Sequence, residues 1–314
     1  MIINLSVICP VRNEEDYIET VLAHFIRTEP REKELFVVDG RSTDRTREIV
    51  SKWMETNPNI YLLDNPEQYV PFALNKAIVQ CRGRYLVRID AHTEYADDYY
   101  SAILRVFAKT GADIVGGPTR TKAKSPMQAA IAKAICTPLG IGNSRVHFED
   151  FEGYTDSVTF GAWRREIFEQ TGLFDTALLR NQDDEFHYRA KSKGFTLYQS
   201  PDIKLYYYPR STLKGLFSQY YQYGYFKPLV LRKVPDEWKW RHLIPAVFTL
   251  YLFTLPLALW LPFWLAPLAL YALLCLWTGL RADAPWPVRL RMPLVFPVLH
   301  TAYGSGFLRG LFKK

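Results

Sequence analysis

Two stretches of this chain combine residue types and spacing that could do chemistry. In Arg88-Ile-Asp-Ala-His92 the carboxylate of Asp90 and the imidazole of His92 stand two residues apart. Carboxylate plus imidazole suits Mn²⁺ and tolerates Mg²⁺. The same residues also fit a plainer role, with Asp90 capping a turn and His92 lying on the surface. In Asn181-Gln-Asp-Asp-Glu-Phe-His-Tyr-Arg189 three acids run in a row, at Asp183, Asp184 and Glu185. A carboxylate there could act as general base on a hydroxyl, and crowded acids raise one another's pKa. It could equally be a solvated helix start, where acids favour the dipole.

These clusters need elements to hold them, and the first 120 residues supply an alternation. Apolar runs at Leu5–Val11, Leu35–Asp39, Ile60–Leu63, Tyr85–Asp90 and Ala112–Gly117 read as strands. Between them Ile18, Val21, Leu22 and Phe25, then Leu74, Ala77, Ile78 and Cys81, then Tyr99, Ile103, Val106 and Phe107 recur at helical spacing. This pattern predicts an α/β fold with a mostly parallel twisted sheet covered on both faces. Ligands bind such sheets at the carboxyl ends of the strands. Asn13, Asp39 and Asp90 fall there. A dinucleotide fold would need GxGxxG after the first strand, but Pro10-Val-Arg-Asn-Glu-Glu-Asp16 stands in its place and its acids oppose pyrophosphate binding. No GxxxxGK[ST] loop occurs either. A nucleotide here therefore calls for a carboxylate-held divalent cation to neutralise its phosphates.

The net charge of +7 suggests nucleic acid until it is located. Arg281, Arg289, Arg291, Arg309, Lys313 and Lys314 follow the most apolar stretch of the chain, so the excess reads as a juxtamembrane anchor instead. Nucleic acid is not an expected partner. Residues 243–280 carry no formal charge, and Pro256, Pro262 and Pro267 break any continuous helix. With Lys239 and Arg241 before it and Arg281 after it, the stretch predicts a helical hairpin with both basic ends on the cytoplasmic side. Residues 288–308 read as interfacial or re-entrant. Four separated cysteines without CxxC exclude a disulfide scaffold or zinc ribbon. No signal-peptide pattern precedes Leu5.

Taken together the motifs resemble glycosyltransferase family 2, the inverting enzymes of the GT-A fold, from about residue 4 to residue 230. Val7-Ile-Cys-Pro-Val-Arg-Asn-Glu14 is similar to the opening strand and loop that hold the nucleoside. Val37-Val-Asp-Gly-Arg-Ser-Thr-Asp-Arg-Thr46 resembles VDDGSTDGT, with Gly40 in place of the second aspartate. Asp90-Ala-His92 occupies the place of DxD. Phe160-Gly-Ala162, Gly172-Leu-Phe-Asp175 and Gln182-Asp-Asp-Glu-Phe186 resemble the acceptor-side segment, and Gln219-Tyr-Tyr-Gln-Tyr-Gly224 stands where processive relatives carry QxxRW. The whole set looks most like the succinoglycan-type exopolysaccharide glucosyltransferases.

The resemblance implies a GT-A domain over 1–235, with a nucleotide half at 1–117 and an acceptor half at 118–235, followed by a membrane-anchoring region at 236–314. It implies a nucleoside-diphosphate sugar donor, UDP-sugar favoured, held by Pro10, Arg12, Asn13, Glu14, Asp39 and Asp90. Asp90 and His92 would hold a divalent ion, Mn²⁺ or Mg²⁺. Asp183 would be the catalytic base, with Gln182, Asp184, Arg189, Arg210, Gln219 and Tyr223 on the acceptor side. The implied acceptor is a lipid-linked glycan at the cytoplasmic membrane face, with membrane lipids as partners. The alternatives are a polyprenyl-phosphate sugar synthase and a non-catalytic scaffold of the same fold. The presence of both Asp90 and Asp183 weighs against the scaffold.

Overall fold

The computed structural model describes residues 3–142 and 145–313, which group into two compact units, Met1–Arg120 with Arg145–Tyr207 and Thr121–Ser144 with Tyr208–Lys314. This division differs from the boundary expected at residue 235: the chain enters the second unit at 121 and again at 208.

The first unit begins with the expected alternation. Strand β1 (Leu5–Val11) leads to α1 (Ile18–Arg27), β2 (Lys33–Asp39) to α2 (Thr46–Thr56), and β3 (Ile60–Asp64) to α3 (Val70–Ile78). Then come β4 (Tyr85–Arg88), β5 (Thr93–Tyr95), α4 (Tyr99–Thr110), β6 (Ile114–Gly116) and β7 (Thr119–Thr121). The second unit takes α5 (Pro126–Ile135) and α6 (Pro138–Ile141) before β8 (Gly153–Tyr154), β9 (Ala162–Arg164), α7 (Ile167–Thr171), α8 (Gln182–Ser192), β10 (Leu197–Gln199) and β11 (Leu205–Tyr207) complete the first. The main sheet runs β3-β2-β1-β4-β9-β6-β10-β8. Its first four strands are parallel, as periodicity required, because apolar side chains on both faces of β1 and β2 must be covered by helices. Beyond them β9 enters antiparallel between β4 and β6, so the sheet is mixed. One core layer gathers Leu5, Val7, Leu22, Phe25 and Ile103; the opposite layer gathers Ile8, Leu74, Trp163, Phe168 and Phe186.

The second unit is helical. After α5 and α6 come α9 (Leu213–Lys233), α10 (Trp240–Phe253), α11 (Ala266–Leu280), α12 (Trp286–Arg289) and α13 (Met292–Gly310). Helices α9 and α13 approach backbone to backbone through glycine. A Cβ on Gly224 would stand 2.1 Å from the Tyr303 carbonyl, and one on Gly306 would stand 2.0 Å from the Tyr221 carbonyl. Small residues at such crossings are how helices pack where no larger side chain fits. Helices α10 and α11 are joined by 3₁₀ turns at Leu255–Leu259 and Pro262–Leu265, and Phe248 meets Tyr271 at 4.4 Å between ring centroids. Residues 288–308 depart from the interfacial reading, since Met292, Val295, Phe296, Leu299 and Ala302 of α13 are core residues of this unit. Helix α13 fills the bundle because its apolar residues meet α5 and α9 rather than an outside surface.

Candidate active site

The carboxyl ends of β1, β2 and β4 lie side by side, with Val11 in register with Asp39 and Ile8 with Arg88. The loop after β1 is stitched to the loop after β2. Asn13, at φ 54°, donates its backbone N–H to Ser42 Oγ at 2.8 Å and accepts from the Thr43 N–H at 2.8 Å. The Glu14 N–H donates to Thr46 Oγ1 at 2.9 Å. Asp39, wholly buried, accepts from the Ser42 N–H and from Arg47 Nη1 at 2.9 Å. Gly40 fits the turn because a Cβ there would sit 3.3 Å from the Val11 carbonyl and 3.4 Å from Gln68 Cα. Pro10 is half-buried, whereas Arg12 and Asn13 are exposed at the rim.

Arg88 ends β4, and Asp90 lies two residues beyond it on the same extended run. The Arg88 guanidinium donates to both Asp90 oxygens, at 3.1 and 3.3 Å, while its plane lies over the Phe160 ring at 5.3 Å. The Asp90 N–H is held by Tyr95 Oη at 2.8 Å. Burial alone would lower the pKa of Arg88; the charges of Asp90 and then Asp183 outweigh it and hold the guanidinium above its ordinary value. The charge of Asp183, 93 residues from Asp90 in sequence, thus acts on Arg88 along with that of Asp90. The buried Cys9 thiol is raised well above its usual value by desolvation and then by the charges of Asp90 and Glu14. His92 is exposed, with Nδ1 3.3 Å from Glu14 Oε1.

Helix α8 brings the acidic cluster. Asn181 takes the left-handed conformation at its N-cap (φ 59°), which asparagine tolerates, and the first turn carries Asp183, Asp184 and Glu185. Asp183 Oδ1 accepts the Asp184 N–H at 3.0 Å. Gln182 is buried. Arg189 goes elsewhere: it pairs with Glu185 at 2.6 Å and donates to the Thr171 and Leu173 carbonyls, tying α8 to the segment after α7. It does not meet Asp183. Arg210, Gln219 and Tyr223 belong to the second unit, where Arg210 is exposed and Gln219 donates to Tyr223 Oη at 3.1 Å along α9.

Two groups carry weight that motif reading did not assign them. Arg88 was legible in principle, since a lone cation two residues before an acid on an apolar strand must share its face. His187 was not. It is fully buried on a helix whose sequence reads as polar.

For a metal ion the donor set is small. Among the described residues no group of three or more His, Cys, Asp or Glu comes together. Asp90 keeps one fifth of its side chain exposed beside Arg88, and each of its oxygens has lone pairs that Arg88 does not use. Asp90 thus keeps acceptor capacity suited to an ion that brings most of its ligands with it, such as a diphosphate complex.

The family model for glycosyl transferase family 2 matches residues 6–172. The chain is 30% identical to the succinoglycan biosynthesis protein ExoA of Rhizobium meliloti (strain 1021), over 97% of this chain and 94% of that protein. It is 28% identical to a dolichyl N-acetyl-α-D-glucosaminyl phosphate 3-β-D-2,3-diacetamido-2,3-dideoxy-β-D-glucuronosyltransferase of Methanococcus voltae, over 98% and 97%. Among solved structures, the mannosyltransferase PcManGT from Pyrobaculum calidifontis, in complex with GDP-Man and Mn²⁺, aligns at a TM-score of 0.64 with 21% identity, covering 98% of this chain and 87% of that one.

Proposed function

This chain belongs to glycosyl transferase family 2 and has the GT-A fold, and on that premise we propose that it performs an inverting transfer from a nucleoside-diphosphate sugar to a hydroxyl of a lipid-linked glycan. Its relatives act in polysaccharide and glycan synthesis. The observation that carries the reading is Arg88, whose guanidinium donates to the donor-side carboxylate Asp90 and is held above its ordinary pKa by the charges of Asp90 and of the acceptor-side carboxylate Asp183.

In this reading Pro10, Arg12, Asn13, Glu14 and Asp39 line the nucleoside, on loops made rigid by the Asn13, Ser42 and Thr46 hydrogen bonds. A divalent ion held by Asp90 and His92 would neutralise the diphosphate and the charge that develops on the leaving oxygen. Asp183 takes the proton of the acceptor hydroxyl while that oxygen attacks C1 from the face opposite the leaving group. One base is enough, because a single displacement forms no covalent intermediate. Arg88 keeps Asp90 and Asp183 from repelling each other before substrate arrives.

The lipid-linked acceptor is supported by the name of the Methanococcus voltae relative and by the surface of the second unit. Pro262–Leu280 is long and apolar enough to cross a membrane, has a mean hydropathy of 1.8, and is only 11% buried. Holding the enzyme at the bilayer keeps a lipid-linked acceptor at high local concentration.

The test is transfer of radiolabelled sugar from a panel of UDP- and GDP-sugars with Mn²⁺ by membranes bearing the full chain. Asp183→Asn is expected to lower transfer by about 10²–10⁴-fold while leaving donor binding intact. Substantial transfer by Asp183→Asn would overturn the hydroxyl-acceptor reading in favour of a lipid phosphate, which is already ionised and needs no base.

A further inference from the structure

His187 is the buried titratable group beside the proposed base that the mechanism leaves unused. Its side chain is wholly inaccessible. Nδ1 lies 3.0 Å from Ser157 Oγ, and Nε2 is buried with no hydrogen-bond partner. Asp183 stands four residues earlier on α8, so the two share a face. Helical side chains lean toward the N-terminus, which carries the His187 ring back over the turn that bears Asp183. Asp183, Asp184 and Arg88 are the charged groups that act on the ring. A buried ring nitrogen without a partner costs free energy unless another state of the molecule supplies one.

Resting on the assignment of Asp183 as base, we infer that His187 is a positioning residue for that carboxylate. Ser157 donates its hydroxyl proton to Nδ1, which fixes the tautomer with the proton on Nε2. The Nε2–H is then the donor that Asp183 accepts when substrate draws it from its resting contact with the Asp184 N–H. Two carboxylates beside a neutral ring favour this tautomer over one that presents them with a lone pair. Burial pulls the imidazole below its ordinary pKa and the aspartates only partly restore it, so the ring enters catalysis neutral. It never receives the proton. Its work is to hold the base ionised and aimed at the acceptor hydroxyl.

The test uses the full chain in membranes and reads transfer across pH for wild type, His187→Phe, His187→Gln and Asp183→Asn. His187→Phe removes the donor, so the acid limb of kcat/KM moves to higher pH and kcat falls by about tenfold with the donor KM unchanged. His187→Gln restores a donor near the Nε2 position and recovers most of both. Imidazole ¹⁵N spectra of the detergent-purified chain should show one ring locked with its proton on Nε2, lost in His187→Phe and released to exchange in Ser157→Ala. An unmoved acid limb in His187→Phe, or His187→Gln failing as His187→Phe does while both still bind donor, overturns the positioning role. Full transfer by Asp183→Asn overturns the base assignment itself, which separates the two failures.

Discussion

The two units of this protein place charge and apolar surface in opposite ways. In the first, Lys33, Asp39, Arg88, Glu185 and His187 are all buried, each with a hydrogen-bond partner. In the second, many large apolar side chains face outward: Phe253 is 77% exposed and Leu259 is 81% exposed, and Trp240, Trp260 and Phe263 are exposed as well. Scattered exposed leucines need no explanation, but this many large exposed apolar side chains do. The first unit desolvates charge only where partners hold it. The second turns much of its apolar surface outward, with α13 and its glycine contacts as its interior.

The contrast breaks first if the buried charges of the first unit prove dispensable. Arg88→Met leaves Asp90 and Asp183 without the cation on which both charges act, and removing one partner of a buried ionic cluster typically costs about 3–5 kcal/mol. The expected result is a large loss in urea midpoint together with lost transfer. A stability change within about 0.5 kcal/mol, as for an ordinary surface site, would mean that the cluster is solvated and that Arg88 does not bind the two aspartates together.

Next comes the surface of the second unit. Leu259 lies in the 3₁₀ turn between α10 and α11, so Leu259→Asp disturbs no core. If lipid surrounds that turn, a carboxylate there costs about 2.5–3.5 kcal/mol, and flotation of the full chain with anionic vesicles should drop by about 100-fold. Equal flotation of variant and wild type would place the turn in water and leave the apolar shell without its solvent.

Legibility in the sequence follows the same division. Strands β1 to β4 were readable because each is a run of apolar residues flanked by helix-spaced ones, a local signal. Strands β8 to β11 are two or three residues long and carry no period; their pairing is fixed by chain hundreds of ångströms of contour away, so the antiparallel insertion of β9 between β4 and β6 left no trace in the pattern. Residues 121–144 join 208–314 for the same reason. At the site, Asp39, Asp90 and Asp183 were recognisable by type and order. Arg189 was expected on the acceptor side from the resemblance, whereas its fork geometry is satisfied by Glu185 and two carbonyls.

The smallest effect sharpens the contrast at a charge buried without a counter-ion. Lys33 donates to the Thr28 and Pro30 carbonyls, and its ammonium lies 4.9 Å from the Phe25 ring centroid. Burial, aided by Arg31, pulls its pKa from the usual 10.5 down to about 8. The folded state thus releases this proton before the unfolded state does, and between those two values the unfolded chain binds more protons. Stability from this group must therefore rise as pH climbs from about 8 to 10.5, by at most about 3 kcal/mol. Lys33→Met has no proton to lose. The gap between the urea midpoints of variant and wild type should shift in favour of wild type across that window, and a gap that stays constant would show that Lys33 is hydrated in the folded state.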